Sequence, residues 1–324
     1  MGRSLDVPDL LARARDGSPR AVARLISLVE DASPQLRQVM AALVPHAGRA
    51  WVVGLTGAPG VGKSTTTSVL VGALRARGLR VGVLAVDPSS PFSGGALLGD
   101  RIRMSEHATD PGVYIRSMAT RGHLGGLSWA TPQAVRVLDA AGCEVVLVET
   151  VGVGQSEVEV AAAADTTVVL LAPGMGDGVQ AAKAGILEVG DVFAVNKADR
   201  EGAQATIRDL RGMVSLADRR EPGDWRPPVV RLVAARGEGV DDLVEALDAH
   251  RTWGAEGGDL DRRRRRRVAG EIEAITLAAL RIRMGGLTGA AAGESLDALA
   301  EEVLAGRTDP YAASDLLLER LTRG

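Results

Sequence analysis

Apolar and polar positions change their period twice along the chain. Over the first 48 residues, Leu10, Leu11 and Ala14, then Ala21, Val22, Leu25, Ile26 and Val29, recur at the spacing of one helical face. Gly17-Ser18-Pro19 marks a helix start, with Ser18 as N-cap and Pro19 at the first helical position; Ser33-Pro34 repeats the device for a third helix. From Trp51 the pattern becomes a series of short apolar runs, at 51–55, 81–86, 145–148, 167–171, 192–195 and 229–233. Each is too short for a buried helix and rich in β-branched residues, so each predicts a strand. Helical stretches are predicted between them at 63–77, 126–141, 179–189, 201–219 and 239–251. Strands alternating with helices predict an α/β fold with a mostly parallel sheet covered on both faces.

After residue 252 the strand pattern stops. Residues 254–258 read as a loop, and helical periodicity returns with Ile272, Ile275, Leu277 and Leu280, then near 295–306 and 309–322. The expected organisation is a helical extension at 1–48, the α/β domain at 49–252 and a helical segment at 253–324. The last segment has apolar residues at helical spacing and no strands, so its helices need a surface to bury against, either the α/β domain or a partner.

Composition narrows the class. The 324 residues are 46% hydrophobic but only 2% aromatic, so the core must be packed with Val, Leu, Ile and Ala. A formal net charge of -3 argues against a general nucleic-acid binder. Cys143 is the only cysteine, which excludes an internal disulfide and a cysteine-based metal cage and fits a reducing cytoplasm. The first residues show no signal peptide, and no stretch of 18 apolar residues predicts a membrane span. His46, His107, His123 and His250 are scattered without metal-ligand spacing and read as structural or solvated. Arg262 to Arg267 form a run of six arginines flanked by Asp259, Asp261, Glu271 and Glu273, which reads as a solvated helix face.

The chemistry is concentrated after the first run. Gly57-Ala58-Pro59-Gly60-Val61-Gly62-Lys63-Ser64 matches G-x-x-x-x-G-K-S between a predicted strand and a predicted helix. Glycines let such a loop turn tightly and aim backbone N–H groups at phosphate oxygens. The following helix adds its positive end. Lys63 can reach the β- and γ-phosphates, and Ser64 can place its hydroxyl on Mg²⁺. Asn196-Lys197-Ala198-Asp199, closing a later strand, is an N-K-x-D pattern. A carboxylate at Asp199 can accept from the ring N–H and the exocyclic amine of guanine, a donor pair adenine lacks, so it discriminates between the two bases. Glu149 closes another strand, where a P-loop fold places a metal-side carboxylate, and Gly152 could bring a backbone N–H to a γ-phosphate. Asp87 and Asp100 each admit two readings, a surface carboxylate or a direct or water-mediated Mg²⁺ contact. The Gly- and Ser-rich stretch 87–101 has the composition of a loop ordered by nucleotide. Residues 173–178 and Lys183, on their own pattern, read as a βα loop with a solvated lysine.

Taken together, residues 57–64, Asp87-Pro88-Ser89-Ser90-Pro91, GGALLGDRIRM at 94–104, ETVGVGQSE at 149–157 and 196–199 resemble the MeaB/ArgK family of P-loop GTPases. These are chaperones of adenosylcobalamin-dependent acyl-CoA mutases, above all methylmalonyl-CoA mutase. The resemblance runs over nearly the whole chain, and its layout of N-terminal helices, central G domain and C-terminal helical dimerisation segment suits this one. It implies a cytoplasmic GTP hydrolase and homodimer whose partner is such a mutase, with a cobalamin adenosyltransferase as a further candidate partner. It implies Mg²⁺ near Ser64, Asp87, Asp100 and Glu149. The nucleotide, GTP or GDP, would lie on residues 57–64 and Thr65, with Gly152, Asn196, Lys197, Asp199, Ala234, Ala235 and Arg236. Switches are implied at 87–104, 150–159 and 174–188, with catalytic roles for Lys63, Gln155, Asp177 and Lys183. The family's last nucleotide loop usually reads Ser-Ala, whereas Ala234-Ala235-Arg236 lacks that hydroxyl; Ala235 still offers a backbone N–H for guanine O6. A nickel-metallochaperone GTPase is a rival that needs the Cys/His cluster this sequence lacks. A protein kinase is another, but no acceptor-binding base is found.

Overall fold

The N-terminal helices α1 (Val7–Arg15), α2 (Pro19–Glu30) and α3 (Leu36–Leu43) form where the apolar spacing places them. Asp6 caps α1 by accepting the Asp9 N–H at 3.1 Å, and Ser18 caps α2 by accepting the Ala21 N–H at 3.4 Å. The third start differs from expectation. Ser33 Oγ accepts the Gln35 N–H at 3.3 Å and the Ser33 carbonyl accepts the Leu36 N–H at 2.8 Å, so Ser33-Pro34 builds a turn before α3. These helices belong to a computed structural model that describes residues 6–87, 105–119, 130–150, 156–174, 186–216, 223–286 and 296–323.

Among the described residues seven strands follow: β1 (Trp51–Thr56), β2 (Val81–Asp87), β3 (Val113–Ala119), β4 (Val145–Thr150), β5 (Thr166–Leu171), β6 (Val192–Val195) and β7 (Val229–Arg231). They form one sheet in the order β3-β2-β4-β1-β5-β6-β7, and every pairing is parallel. Alternation along the strands sends side chains to two buried faces. Val52, Leu84, Val86, Val146 and Val148 pack with α1, α2, α3 and α5 (Thr131–Ala140), and with Val160 of α6 (Ser156–Ala163). Trp51, Val53, Leu55, Val83 and Leu147 pack on the other face with α4 (Lys63–Ala76) and α9 (Val240–Glu256). The short α7 (Ile186–Val189) and α8 (Ala203–Leu216) complete the crossovers around β6. The N-terminal helices therefore share one core with the sheet.

β3 is the strand that periodicity misses. It lies at the sheet edge, is only partly buried, and carries Arg116 and Ser117 in its middle, so no continuous apolar run marks it. Arg116 is held by Glu30 and Ser27 of α2, which closes that edge with a helix. The expected loop at 254–258 is also corrected. α9 continues to Glu256, because Gly254 is tolerated inside the helix, and the break is confined to Gly257-Gly258. From there α10 (Asp259–Gly286) runs for 28 residues.

By its contacts the chain divides into Met1–Arg263 and Arg264–Gly324. In the second unit, Leu299 of α11 (Leu296–Leu304) clusters with Ala313 and Leu317 of α12 (Pro310–Arg323). Ile272, Ile275, Leu277 and Leu280 on α10 stay exposed, Ile272 by 61%. No described helix is long and apolar enough to cross a membrane.

A polar cluster occupies the amino-terminal ends of β1, β5 and β6. Trp51 Nε1 donates to Thr166 Oγ1 at 3.1 Å, and Thr166 Oγ1 lies 2.9 Å from His250 Nδ1. An indole N–H can only donate, so Thr166 Oγ1 is the acceptor of the Trp51 bond. Nε2 is 3.3 Å from Asp191 Oδ1, outside good hydrogen-bond geometry. The rings of Trp225 and Trp253 close over His250 at centroid distances of 5.0 and 5.7 Å. Buried Asp191 accepts two parallel 2.8 Å bonds from the guanidinium of Arg263, and a third 2.8 Å bond from the Thr167 N–H. One of the six arginines is thus a half-buried ion-pair partner and not part of a solvated face, because an acid precedes β6 at the place where α10 begins. Burial pushes the Asp191 carboxyl up, but His250 and Arg263 outweigh it and hold it below the ordinary carboxylate value.

Arg263→Ala leaves Asp191 buried without its cation. The loss in a urea denaturation should fall toward the lower end of about 3–5 kcal/mol, since Arg263 retains some contact with water. Asp191 is depressed in the folded state, so the contribution is complete above the ordinary carboxylate value of about pH 4. It fades as pH falls from there through the lower folded value. The gap between wild type and variant should therefore be widest at neutral pH and close as pH falls toward the lowered folded value of Asp191.

Candidate nucleotide-binding site

The carboxyl ends of β1, β4 and β6 meet at one edge of the sheet, where open parallel sheets hold their ligands. β1 leads directly into the turn 57–62 and then α4. Two of its glycines are required by space as well as by backbone angle. Gly57 has φ 140°, and a Cβ there would run into the Leu170 carbonyl oxygen of β5. Gly62 caps α4 with φ 96°, and a Cβ there would run into the side-chain amide of Asn196. Lys63, buried at the first position of α4, sends its ammonium back across the loop to the carbonyls of Gly57 at 2.7 Å and Ala58 at 3.1 Å. The positive charge is held inside the turn.

Ser64 and Thr67 lie on one face of α4, three residues apart. Ser64 Oγ donates to Glu149 Oε1 at 2.6 Å, and Thr67 Oγ1 donates to Glu149 Oε2 at 2.8 Å. Glu149, only 4% exposed at the end of β4, is thereby fixed against the phosphate-loop helix. Its partner Thr67 was not singled out from the sequence. The signal is the spacing Ser64-x-x-Thr67, which becomes informative once Glu149 is known to face α4. Ser68, one residue on, binds Glu106, and its carbonyl lies 2.9 Å from His107 Nε2.

Asn196 joins the loops. It is 3% exposed. Its side-chain N–H donates to the Val61 carbonyl of the phosphate loop at 2.8 Å. Its Oδ1 accepts the Lys197 N–H at 2.8 Å and the Ala234 N–H at 3.0 Å. Two backbone donors on the oxygen fix which way the amide points. Lys197 takes a left-handed φ of 56° and reaches Gly60 O with its ammonium at 2.6 Å. The turn Ala234–Arg236 stands on the far side, and Arg236 Nη2 lies 3.4 Å from Asp199 Oδ2. Residues 57–64, Glu149, 196–199 and 234–236, far apart in sequence, thus surround one edge of the sheet. Thr65 is exposed at the start of α4. Of the remaining expected site residues, Asp100, Gly152, Gln155, Asp177 and Lys183 lie outside the described residues, and Asp87 is described in its backbone alone as the last residue of β2.

The model of the Methylmalonyl Co-A mutase-associated GTPase MeaB family matches residues 22–286. The chain belongs to this family of GTPases. A Pyrococcus abyssi protein described as a candidate GTPase is 46% identical over 98% of each chain. The GTPase ArgK of Escherichia coli is 38% identical over 73% of each. Among solved structures, one described as an LAO/AO transport system kinase superposes with a TM-score of 0.69 at 26% identity, covering 99% of both chains. A P-loop fold with a MeaB-family sequence binds GTP and GDP, and the loops just described are the candidates for that site.

Gly62→Ala tests the contact on which the two parts depend. A left-handed backbone alone costs an alanine about 1–2 kcal/mol, and the added methyl meets the Asn196 amide. Affinity for GDP measured by calorimetry should fall about tenfold or more, since each 1.4 kcal/mol is tenfold. Far-UV circular dichroism should stay unchanged.

Proposed function

We propose that this chain is a GTP-gated chaperone of an adenosylcobalamin-dependent acyl-CoA mutase, with methylmalonyl-CoA mutase as the foremost client. GTP orders the switch surfaces that engage the mutase, gating cofactor loading and protecting the enzyme. Hydrolysis to GDP and phosphate resets the chaperone. The observation that carries the reading is Asn196, whose single side chain holds the phosphate loop and the turn at 234 around the N-K-x-D loop in a chain of a mutase-associated family.

In this reading Lys63 leaves the carbonyls of Gly57 and Ala58 for the β- and γ-phosphates, and Gly152 adds a backbone N–H at the γ-phosphate. Asp199 accepts from the ring N–H and exocyclic amine of guanine, Ala235 gives its N–H to O6, and Lys197 covers the base. Mg²⁺ fits the hard oxygen donors of Ser64 and Glu149, with Asp87 and Asp100 as further carboxylates, direct or through water. When bound, the ion neutralises charge on the phosphates. Gln155 orients the attacking water. The segments 87–104, 150–159 and 174–188 act as the switches, Asp177 and Lys183 belonging to the third. A cobalamin adenosyltransferase is a further candidate partner. Self-association through 253–324 is supported by the exposed Ile272, Ile275 and Leu277 on α10, and the setting is cytoplasmic.

The guanine reading predicts much tighter binding of GTP and GDP than of ATP and ADP, because hydrogen bonds to a charged acceptor are worth about 1.5–3 kcal/mol each. Asp199→Asn should move the preference to xanthine nucleotides, since the new amide donates where xanthine accepts. Equal affinity for ADP and GDP in calorimetry would refute the assignment.

The chaperone reading predicts slow phosphate release by the isolated protein and acceleration by methylmalonyl-CoA mutase. A cation supplied at the γ-phosphate is worth about 10³–10⁵ in rate in GTPases. Lys183→Ala should leave basal turnover and GTP affinity nearly unchanged while removing most of the stimulated rate. A variant stimulated as strongly as wild type reduces Lys183 to a solvated loop residue. No stimulation of the wild-type protein by the mutase removes the chaperone reading itself.

A further inference from the structure

We propose that Arg236 is a positioning residue for guanine recognition, orienting the Asp199 carboxylate through its Oδ2. This deepens the guanine reading of Asp199 and rests on it.

The turn that carries Arg236 is rigidly built. The Ala234 N–H is taken by Asn196, the Arg236 N–H by the Val233 carbonyl at 2.9 Å, and the Val233 N–H by the Glu238 carbonyl at 2.9 Å. Gly239, at φ 79°, comes so close to the Arg231 carbonyl that a Cβ would collide with it. The backbone of residues 233–239 is therefore fixed relative to the N-K-x-D loop. That loop is tied to the same element twice more, by the Ala198 N–H to the Leu232 carbonyl at 3.1 Å and by Arg231 Nη2 to the Ala198 carbonyl at 3.4 Å. From this base, the Arg236 guanidinium places Nη2 3.4 Å from Asp199 Oδ2 and Nη1 3.8 Å from Glu238 Oε1. One planar fork thus spans two carboxylates.

The stoichiometry of lone pairs allows this contact to persist with nucleotide. A carboxylate offers about four acceptor sites on its two oxygens. Guanine uses one on each oxygen, and Arg236 addresses Oδ2 only. The ion pair and the base are compatible, so Arg236 restricts rotation of the Asp199 side chain without blocking it. A freely turning carboxylate satisfies one donor more easily than two at once. The bidentate contact to guanine therefore depends on Arg236 more than a single hydrogen bond would. Arg236 is 62% exposed, so the pair's contribution is in the modest range of surface ion pairs, and its removal leaves the fold intact.

The test compares the affinities of GDP, IDP and ADP by calorimetry in the full-length protein. IDP keeps the ring N–H of guanine and lacks its exocyclic amine; ADP does not use Asp199. Arg236→Ala should weaken GDP about two- to fivefold, the range an exposed ion pair supports, weaken IDP less, and leave ADP unchanged. The GDP-to-IDP preference should fall. Arg236→Lys keeps the charge without the fork and should show the same lowered preference. Equal weakening of all three nucleotides would mean a general attraction of the cation for phosphates and overturn the proposal, as would an unchanged GDP-to-IDP preference. Asp199→Asn, measured alongside, separates the two levels. If it shifts preference to XDP while the Arg236 variants change nothing, only the positioning role fails. If it leaves the preference for GDP intact, the guanine reading fails and takes this role with it.

Discussion

The nucleotide edge of the sheet depends on one buried carboxamide. Asn196 donates to the phosphate loop through Val61 O and accepts from Lys197 and from Ala234. A buried side-chain amide is costly unless its hydrogen-bonding groups are used. Here their partners are backbone groups of three loops that are far apart in sequence, so satisfying the amide assembles the site. The same requirement reaches into the sequence of the phosphate loop. Asn196 can approach Val61 only because residue 62 has no side chain, and residue 62 can cap α4 with φ 96° for the same reason. Lys197 repeats the connection from its left-handed backbone by reaching Gly60 O. The distance between the turn 57–62 and the N-K-x-D loop is thus set by short, directional bonds and not by the packing of apolar surfaces.

The opposite edge is stabilised by a different arrangement of buried polarity. There Asp191 is fully committed to Arg263 and the Thr167 N–H, and His250 is enclosed by Trp225 and Trp253. With so few aromatic residues in the chain, the gathering of Trp51, Trp225 and Trp253 at one place is a large share of its aromatic surface. The consequence is mechanical. The start of α10 is tied to the amino end of β6 through Arg263, and Arg263 is further braced by Asp259 at 2.6 Å. A buried ion pair is weak evidence for net stability, but it is demanding about geometry. It defines where the helix begins, directly after the Gly257-Gly258 break.

The parts of this structure legible in the sequence are those set by local pattern. Strands buried on both faces, such as β4 and β5, announce themselves as unbroken β-branched runs, and the phosphate loop and N-K-x-D pattern could be placed on strand ends from spacing alone. What escaped depends on partners distant in sequence. β3 is an edge strand whose Arg116 pairs with Glu30 of α2, and neither residue signals the other. Arg263 looks like its five neighbours until Asp191 is found beside it. Ser33 has the residues of a helix cap, yet it spends its hydroxyl on Gln35 and its carbonyl on Leu36, a choice between two local bonds that composition does not decide. Thr67 reads as one of three consecutive threonines until Glu149 faces it across the sheet.

Glu149 connects the two halves of this picture. Its carboxylate is held by two hydroxyls of a single helix while its backbone continues the central strand β4, so the acid cannot shift without moving either α4 or β4. Both elements are buried and pair with the rest of the sheet or pack against it, which makes such movement costly. A ligand that draws Ser64 or Glu149 to itself must therefore take over hydrogen bonds already made. Glu149 and Asn196 thus belong to one frame, whose polar groups are satisfied by partners on α4 and on the loops at 61, 197 and 234.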